Sequence, residues 1–363
     1  MRHLFTVAAS LLAVANAPAF VTIAWAAPAQ PAAADCPPAG GLSFICGPKN
    51  PEDFAVLPDG RWLIASGMAE GGGLHLIDTK TKAWKRWIAP AGAKAAAAFA
   101  DCDGPPDPER FSAHGLALRT TGKGRARLFV VGHGGREAVE VFDITLGDGE
   151  PALAWKGCVR APDKVELNSV AAAPDGTLLA TTLAVPGKSV SDAFYGQPTG
   201  AVYERRPGEA AFREVPGTSL PADNGIEISA DGRTVYVAAT PVQELTAFSR
   251  GRTWTKLWTA KLPDTSPDNV HWGPDGRLWA AGMADVEPGC GGRLMPKDGK
   301  IDLAGCPRGY RVTAVDPKTG KAELIAKGPA LAAYSGTATA LAAGGSLWIS
   351  SFYMDRIAYR PWP

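Results

Sequence analysis

The sequence predicts an all-β chain folded as a six-bladed β-propeller, with four-stranded antiparallel blades and a ring closed by the N-terminal segment. Three observations carry that prediction. The phrase NGIEISADGRTVYVAA (residues 224–239) recurs as EDFAVLPDGRWLIASG (52–67), NSVAAAPDGTLLATT (168–182) and DNVHWGPDGRLWAAG (268–282), with looser copies at 114–134 and 335–351. Each copy reads as a β-hairpin, because alternating apolar residues fit a pleated strand and Asp-Gly tolerates the positive φ of a tight turn. After each hairpin comes further strand signal, as in GLHLIDTKTKAWKRWI, EAVEVFDI, GAVYERR, ELTAFSR and YRVTAVDPKTGKAELI.

Turn landmarks at Asp59, Gly122, Asp175, Asp231, Asp275 and Gly345 lie near fifty residues apart and define six units. The sixth unit ends after DRIAYRPWP, its third strand, so the segment around Gly40 to Cys46 is expected to supply its missing outer strand and remove the exposed edges. Two β-sandwiches, the rival architecture, leave the regular placing of polar residues described below unexplained. Gly- and Pro-rich insertions at 91–110, 184–197 and 284–308 fall between strands and are expected either to shape a binding mouth or to be decoration.

The N-terminal thirty residues have a basic start, an apolar run and the small-residue site Ala24-Trp25-Ala26. They predict a signal peptide over residues 1–26, a Pro/Ala-rich lead-in over 27–35 and the propeller over 36–363. Asn16 and Pro18 interrupt the run, which argues against a retained membrane anchor. The chain is therefore expected to be exported, to the periplasm or beyond, with no stable membrane span after cleavage. With a formal net charge of +1 and no long basic run, nucleic acid and anionic membranes are excluded as expected partners. Six cysteines follow the signal, and an even number in an exported chain points to disulfides. Proximity suggests Cys36–Cys46, Cys102–Cys158 and Cys290–Cys306, out of 15 connectivities.

Seven residues before each turn Asp stands an oxygen-bearing side chain: Glu52, Asn168, Asn224 and Asp268, the last followed by Asn269. In a ring of blades these oxygens converge on the axis. Hard oxygen donors without Cys or His suit Ca²⁺, which takes six to eight of them. Capping of strand entry by each Asn or Asp is the bland alternative, but it does not explain a shared register. His114, in FSAHGLAL, holds the corresponding place in the second unit, and His133 closes the next strand in LFVVGHGG. The hairpin between them brings the two imidazoles together as a base and its relay. Met68 and His271 are expected to line the pocket, His75 to be a strand residue.

At these residues the chain resembles the paraoxonase/arylesterase family of six-bladed propellers, within the wider gluconolactonase/strictosidine-synthase-like superfamily. FSAHGLAL, LFVVGHGG, LNSVAAAPDG, ADNGIEISADGRTVYVA, PDNVHWGPDG and GTATAL with LWISS carry the likeness in co-linear order. The resemblance implies a catalytic calcium on Glu52, Asn168, Asn224, Asp268 and Asn269, and a dyad of His114 and His133. It also implies a second, structural calcium using Asp53 and the Leu116 carbonyl, but Ser169 stands where that site expects an Asp. No Cys follows Cys306, so the disulfide that joins the chain ends in that family is impossible here, and Gly132 replaces the usual Asn before the second His. The implied activity is calcium-dependent hydrolysis of small-molecule lactones or aryl esters, by attack of a His-activated water. No G-x-S-x-G elbow supports a serine hydrolase. A gluconolactonase-type sugar lactonase and a non-catalytic, calcium-stabilised binding propeller are the alternatives. A condensing, strictosidine-synthase-like enzyme is disfavoured by the full oxygen ring.

Overall fold

Six four-stranded antiparallel sheets account for nearly all of the regular structure in the computed structural model, which describes residues 36–363. The expected signal peptide and lead-in lie outside those residues. From the axis outward, the first blade is Pro51–Val56, Trp62–Gly67, Gly73–Asp78 and Trp84–Trp87, and the second is Ser112–Gly122, Arg125–His133, Ala138–Thr145 and Ala152–Arg160. The third runs Val170–Ala172, Leu178–Thr182, Ala201–Arg205 and Arg213–Glu214; the fourth runs Asp223–Ile228, Thr234–Ala239, Glu244–Ser249 and Thr255–Lys261. The fifth uses Thr265–Trp272, Leu278–Ala284, Tyr310–Val315 and Ala322–Lys327.

The sixth blade is built from both ends of the described chain. Ala340–Ala343, Ser346–Ile349 and Arg356–Pro361 receive Ser43–Cys46 as their outer strand, with Ser43 opposite Tyr359 and Cys46 opposite Arg356. The strand expected near Gly40 to Cys46 thus falls where the repeat count requires it. Packing reinforces the closure: Ile45, Trp348 and Ile357 of the sixth blade bury themselves against Phe54, Leu63 and Ile77 of the first. Each such fully buried side chain contributes about 1.5–3 kcal/mol, so the seam is held by apolar contact as well as by the strand ladder.

Every inner strand starts at the face that carries the conserved phase of the repeat, descends, and turns back at its Asp-Gly or Gly-rich corner. The links from the second strand of a blade to its third, and from one blade to the next, therefore return to that upper face. All three Gly/Pro-rich insertions lie there. Two of them touch, the Ser191 hydroxyl donating to the Gly299 carbonyl at 2.6 Å. Cysteines pair as Cys36–Cys46, Cys102–Cys158 and Cys290–Cys306. Three disulfides fit an oxidising, exported environment. Among the described residues no helix is long and apolar enough to cross a membrane.

Candidate active site

Four inner strands break register at the same height. The ladder slips between Pro51 and Phe54, Ala113 and Leu116, Asp223 and Ile226, and Pro267 and Val270. Each slip is a β-bulge that removes two residues from pairing and re-aims their side chains. The residues so released are Glu52 with Asp53, His114 with Gly115, Asn224 with Gly225, and Asp268 with Asn269. Glycine is needed at two of these places: a Cβ on Gly115 would meet the Ser169 Cα at 2.6 Å, and one on Gly225 the Asp268 carbonyl oxygen at 2.5 Å. The bulged strands can crowd the axis only without those side chains.

The predicted oxygen ring is brought together. The Asn269 amide donates to Glu52 Oε1 at 2.6 Å, Glu52 Oε1 lies 4.0 Å from His114 Nε2, and His114 Nε2 lies 3.5 Å from the Asn168 amide nitrogen. Asn224 donates to Thr240 Oγ1 at 3.0 Å, which turns its carbonyl the other way, and it also bonds the Asp268 carboxylate. Glu52 Oε2, Asn168 Oδ1 and Asn224 Oδ1 are buried and have no hydrogen-bond partner. A buried acceptor without a donor costs about 1–3 kcal/mol, and three facing one hub are a donor set that a bound cation would satisfy. The electrostatics agree. Burial, then Asp268 and Asp53, push Glu52 well above the usual carboxylate range; burial and Asp53 raise Asp268 to about 7, against a bond from Asn224.

Behind the ring stands a hydrogen-bonded chain of three groups. Glu137 Oε2 lies 2.7 Å from His133 Nδ1, and His133 Nε2 lies 3.1 Å from His114 Nδ1. The carboxylate fixes the tautomers: His133 carries its proton on Nδ1, accepts at Nε2 from His114 Nδ1–H, and so leaves the His114 Nε2 lone pair facing the hub. Burial, then His133, lowers His114 to about 3, which keeps the ring neutral with its lone pair unprotonated. Glu137 was not anticipated from the sequence. The signal existed, since Gly132 pairs with Ala138 and the hairpin therefore sets residue 137 opposite His133.

Two expectations need correcting. A second calcium on Asp53 and Leu116 does not fit, because Leu116 presents its N–H, not its carbonyl, to Asp53 Oδ2 at 2.7 Å. Asp53 Oδ1 accepts from Phe54 N–H at 2.7 Å, Thr339 Oγ1 at 2.8 Å and His271 Nε2 at 2.7 Å. His271, expected in the substrate pocket, instead points down the channel, where it lines a cavity of about 760 Å³ at the opposite mouth. Burial opposes its charge, but Asp53 and Glu227 outweigh that and hold it at about 10. Met68 directly follows the second strand of the first blade on the upper face, its carbonyl accepting from Ser112, two residues before His114. His75 is a buried strand residue that accepts from Lys49 N–H. Cys102, Cys158 and Glu140 also cluster, but both sulfurs are joined in a disulfide and Glu140 is held by Arg136 and Trp155.

The profile described as the SMP-30/Gluconolactonase/LRE-like region matches residues 68–303, well over half of the chain. No functionally curated protein matches the sequence. Among solved structures, a gluconolactonase from Xanthomonas campestris shares 18% identity at a TM-score of 0.50, covering 93% of this chain and 99% of its own. A calcium-binding protein from Agrobacterium tumefaciens, regucalcin, shares 13% at a TM-score of 0.50, covering 87% and 93%. A luciferin-regenerating enzyme shares 13% at a TM-score of 0.50, covering 88% and 95%. At these identities the structures bear on the fold alone.

Proposed function

The chain belongs to the SMP-30/gluconolactonase/LRE-like family, and from that premise we propose that it is an exported, calcium-dependent hydrolase of small-molecule lactones, with aryl esters as secondary substrates. The observation that carries this reading is the set of three unpartnered buried oxygens, Glu52 Oε2, Asn168 Oδ1 and Asn224 Oδ1, beside the open Nε2 of His114. With Asp268 and Asn269 they would hold the ion. When bound, calcium supplies Lewis-acid polarisation of the substrate carbonyl.

The chain's own groups do the proton chemistry. His114 Nε2 accepts a proton from the attacking water, and the charge that develops on its ring is shared through Nδ1–H with His133. Glu137 stabilises the charge on His133 and keeps its Nε2 turned toward His114. No covalent nucleophile is needed. The insertions at 184–197 and 284–308, tied by Ser191 and Gly299, stand on the rim and would set ring size and substituent preference.

A sugar lactonase fits the family equally well, so a sugar lactone belongs in the first panel beside γ- and δ-lactones and phenyl acetate. The mature protein should turn over at least one lactone, lose that activity in EGTA and regain it with calcium. His114→Gln should lower kcat by about 10²–10⁴-fold, the usual contribution of a general base. Activity indifferent to both treatments rejects the mechanism. Calcium-dependent stability with no turnover would instead make the protein a calcium-fastened binding propeller.

A further inference from the structure

Below the hub, between Asp53 and Glu227, the His271 ring stands in the channel above its lower cavity. The Asp53 carboxylate, fully buried, receives four donors, from Phe54, Leu116, Thr339 and His271. Oδ1 accepts from Phe54, Thr339 and His271 and Oδ2 from Leu116, so both carboxylate oxygens are already engaged by protein donors. The neighbouring blade adds nothing anionic, since Ser169 brings only a hydroxyl. The His271 ring bridges the space itself, with Nε2 at 2.7 Å from Asp53 Oδ1 and Nδ1 at 3.8 Å from Glu227 Oε2.

We propose that this chain binds one divalent cation, at the upper hub, and that the His271 ring, wedged between Asp53 and Glu227, occupies the place a second cation would need. The inference rests on the reading of the oxygen ring as a calcium site. It adds that the propeller is cross-braced below that site, independent of metal, by hydrogen bonds from Asp53 to the second, fifth and sixth blades and by the His271–Glu227 ion pair to the fourth.

Metal counting tests it. The folded protein, stripped with EGTA and titrated with calcium by calorimetry, with bound metal measured by mass spectrometry after dialysis, should hold one equivalent per chain. Two equivalents in the wild type would overturn the inference while leaving the proposed function standing; none would overturn both. Ser169→Asp with His271 retained should still bind one, and a second equivalent there refutes the blocking role of the ring. The double variant Ser169→Asp, His271→Ala should bind two. If it is folded by circular dichroism and still binds one, His271 is not what fills the place. Should the double variant fail to fold, the wild-type and Ser169→Asp counts decide the matter.

Discussion

Replacing Asp268 by Asn should make the metal-free protein more stable and the calcium-loaded protein less so. Asp268 lies in a cluster with Glu52 and Asp53, and burial with Asp53 raises it from 3.8 to about 7. An unfolded chain ionises this group near 4, whereas the metal-free native chain keeps the proton up to about 7. Between those values the unfolded state binds fewer protons, so native stability falls as pH rises and the loss is complete above 7. At pH 8 a gap of about three pH units corresponds to about 4 kcal/mol, and at pH 5 to about 2 kcal/mol. An amide never ionises and escapes the penalty. For a domain of this length the unfolding entropy is about 0.7 kcal/mol/K, so Asp268→Asn in EGTA should raise Tm by about 6 °C at pH 8 and about 3 °C at pH 5. With saturating calcium the order reverses, because the variant has lost a charged ligand. Scanning calorimetry at both pH values, with EGTA and with calcium, reads all four numbers. A metal-free variant that melts at or below the wild type at pH 8 refutes the idea that these carboxylates repel one another across an empty hub.

Glu137→Gln keeps an acceptor for His133 but removes the charge, so kcat on the best lactone should fall about 10–100-fold with KM and calcium affinity unchanged; steady-state kinetics with calcium titration check it, and an equal loss in both parameters contradicts a relay. His75 is buried and lowered to about 4, first by burial and then by Arg86. From pH 6.5 down to 4 the unfolded chain takes a proton that the native chain refuses, which removes about 3 kcal/mol from the wild type. His75→Gln should flatten that part of the acid-unfolding curve measured by circular dichroism. Opening Cys102–Cys158, whose partners lie 56 residues apart, by a double Cys→Ser change should cost about 4 kcal/mol in denaturant unfolding, the loop-entropy value for that separation.

The fold was readable because its signal is periodic. Alternation, Asp-Gly corners and a fixed spacing survive in the sequence even where individual residues vary, and a sixth unit that stops at its third strand, DRIAYRPWP, called for the N-terminal outer strand that pairs with it. The ring residues were legible for the same reason, through their constant distance from the turn. The bulges were not. Strict alternation assigns Glu52 and Asp53 to opposite faces of a strand, and only the slipped ladder sends one to the hub and the other into the channel. The direction of Leu116 could not be read either, since which backbone atom faces Asp53 depends on that same slip. His271 misled because alternation with Asn269 says which face it shares, not how far down the axis it sits.

Burial of an acid does not by itself mark a ligand, and four acids in this propeller separate the cases. Asp53 and Glu140 are buried with both oxygens of each accepting from protein donors, so they brace the fold. Asp223 has an unpartnered Oδ2, but its other oxygen caps Leu220 and, among the described residues, no second bare oxygen faces it in the way Asn168 and Asn224 face Glu52. Glu52 differs from all three. One of its oxygens is held by Asn269 and the other opens onto the space that Asn168 and Asn224 also face with bare carbonyls. Protonating Glu52 would supply one hydrogen for three acceptors. A cation would supply a charge that all of them share, and so the neighbours rather than the burial of Glu52 carry the proposal that the hub holds a metal.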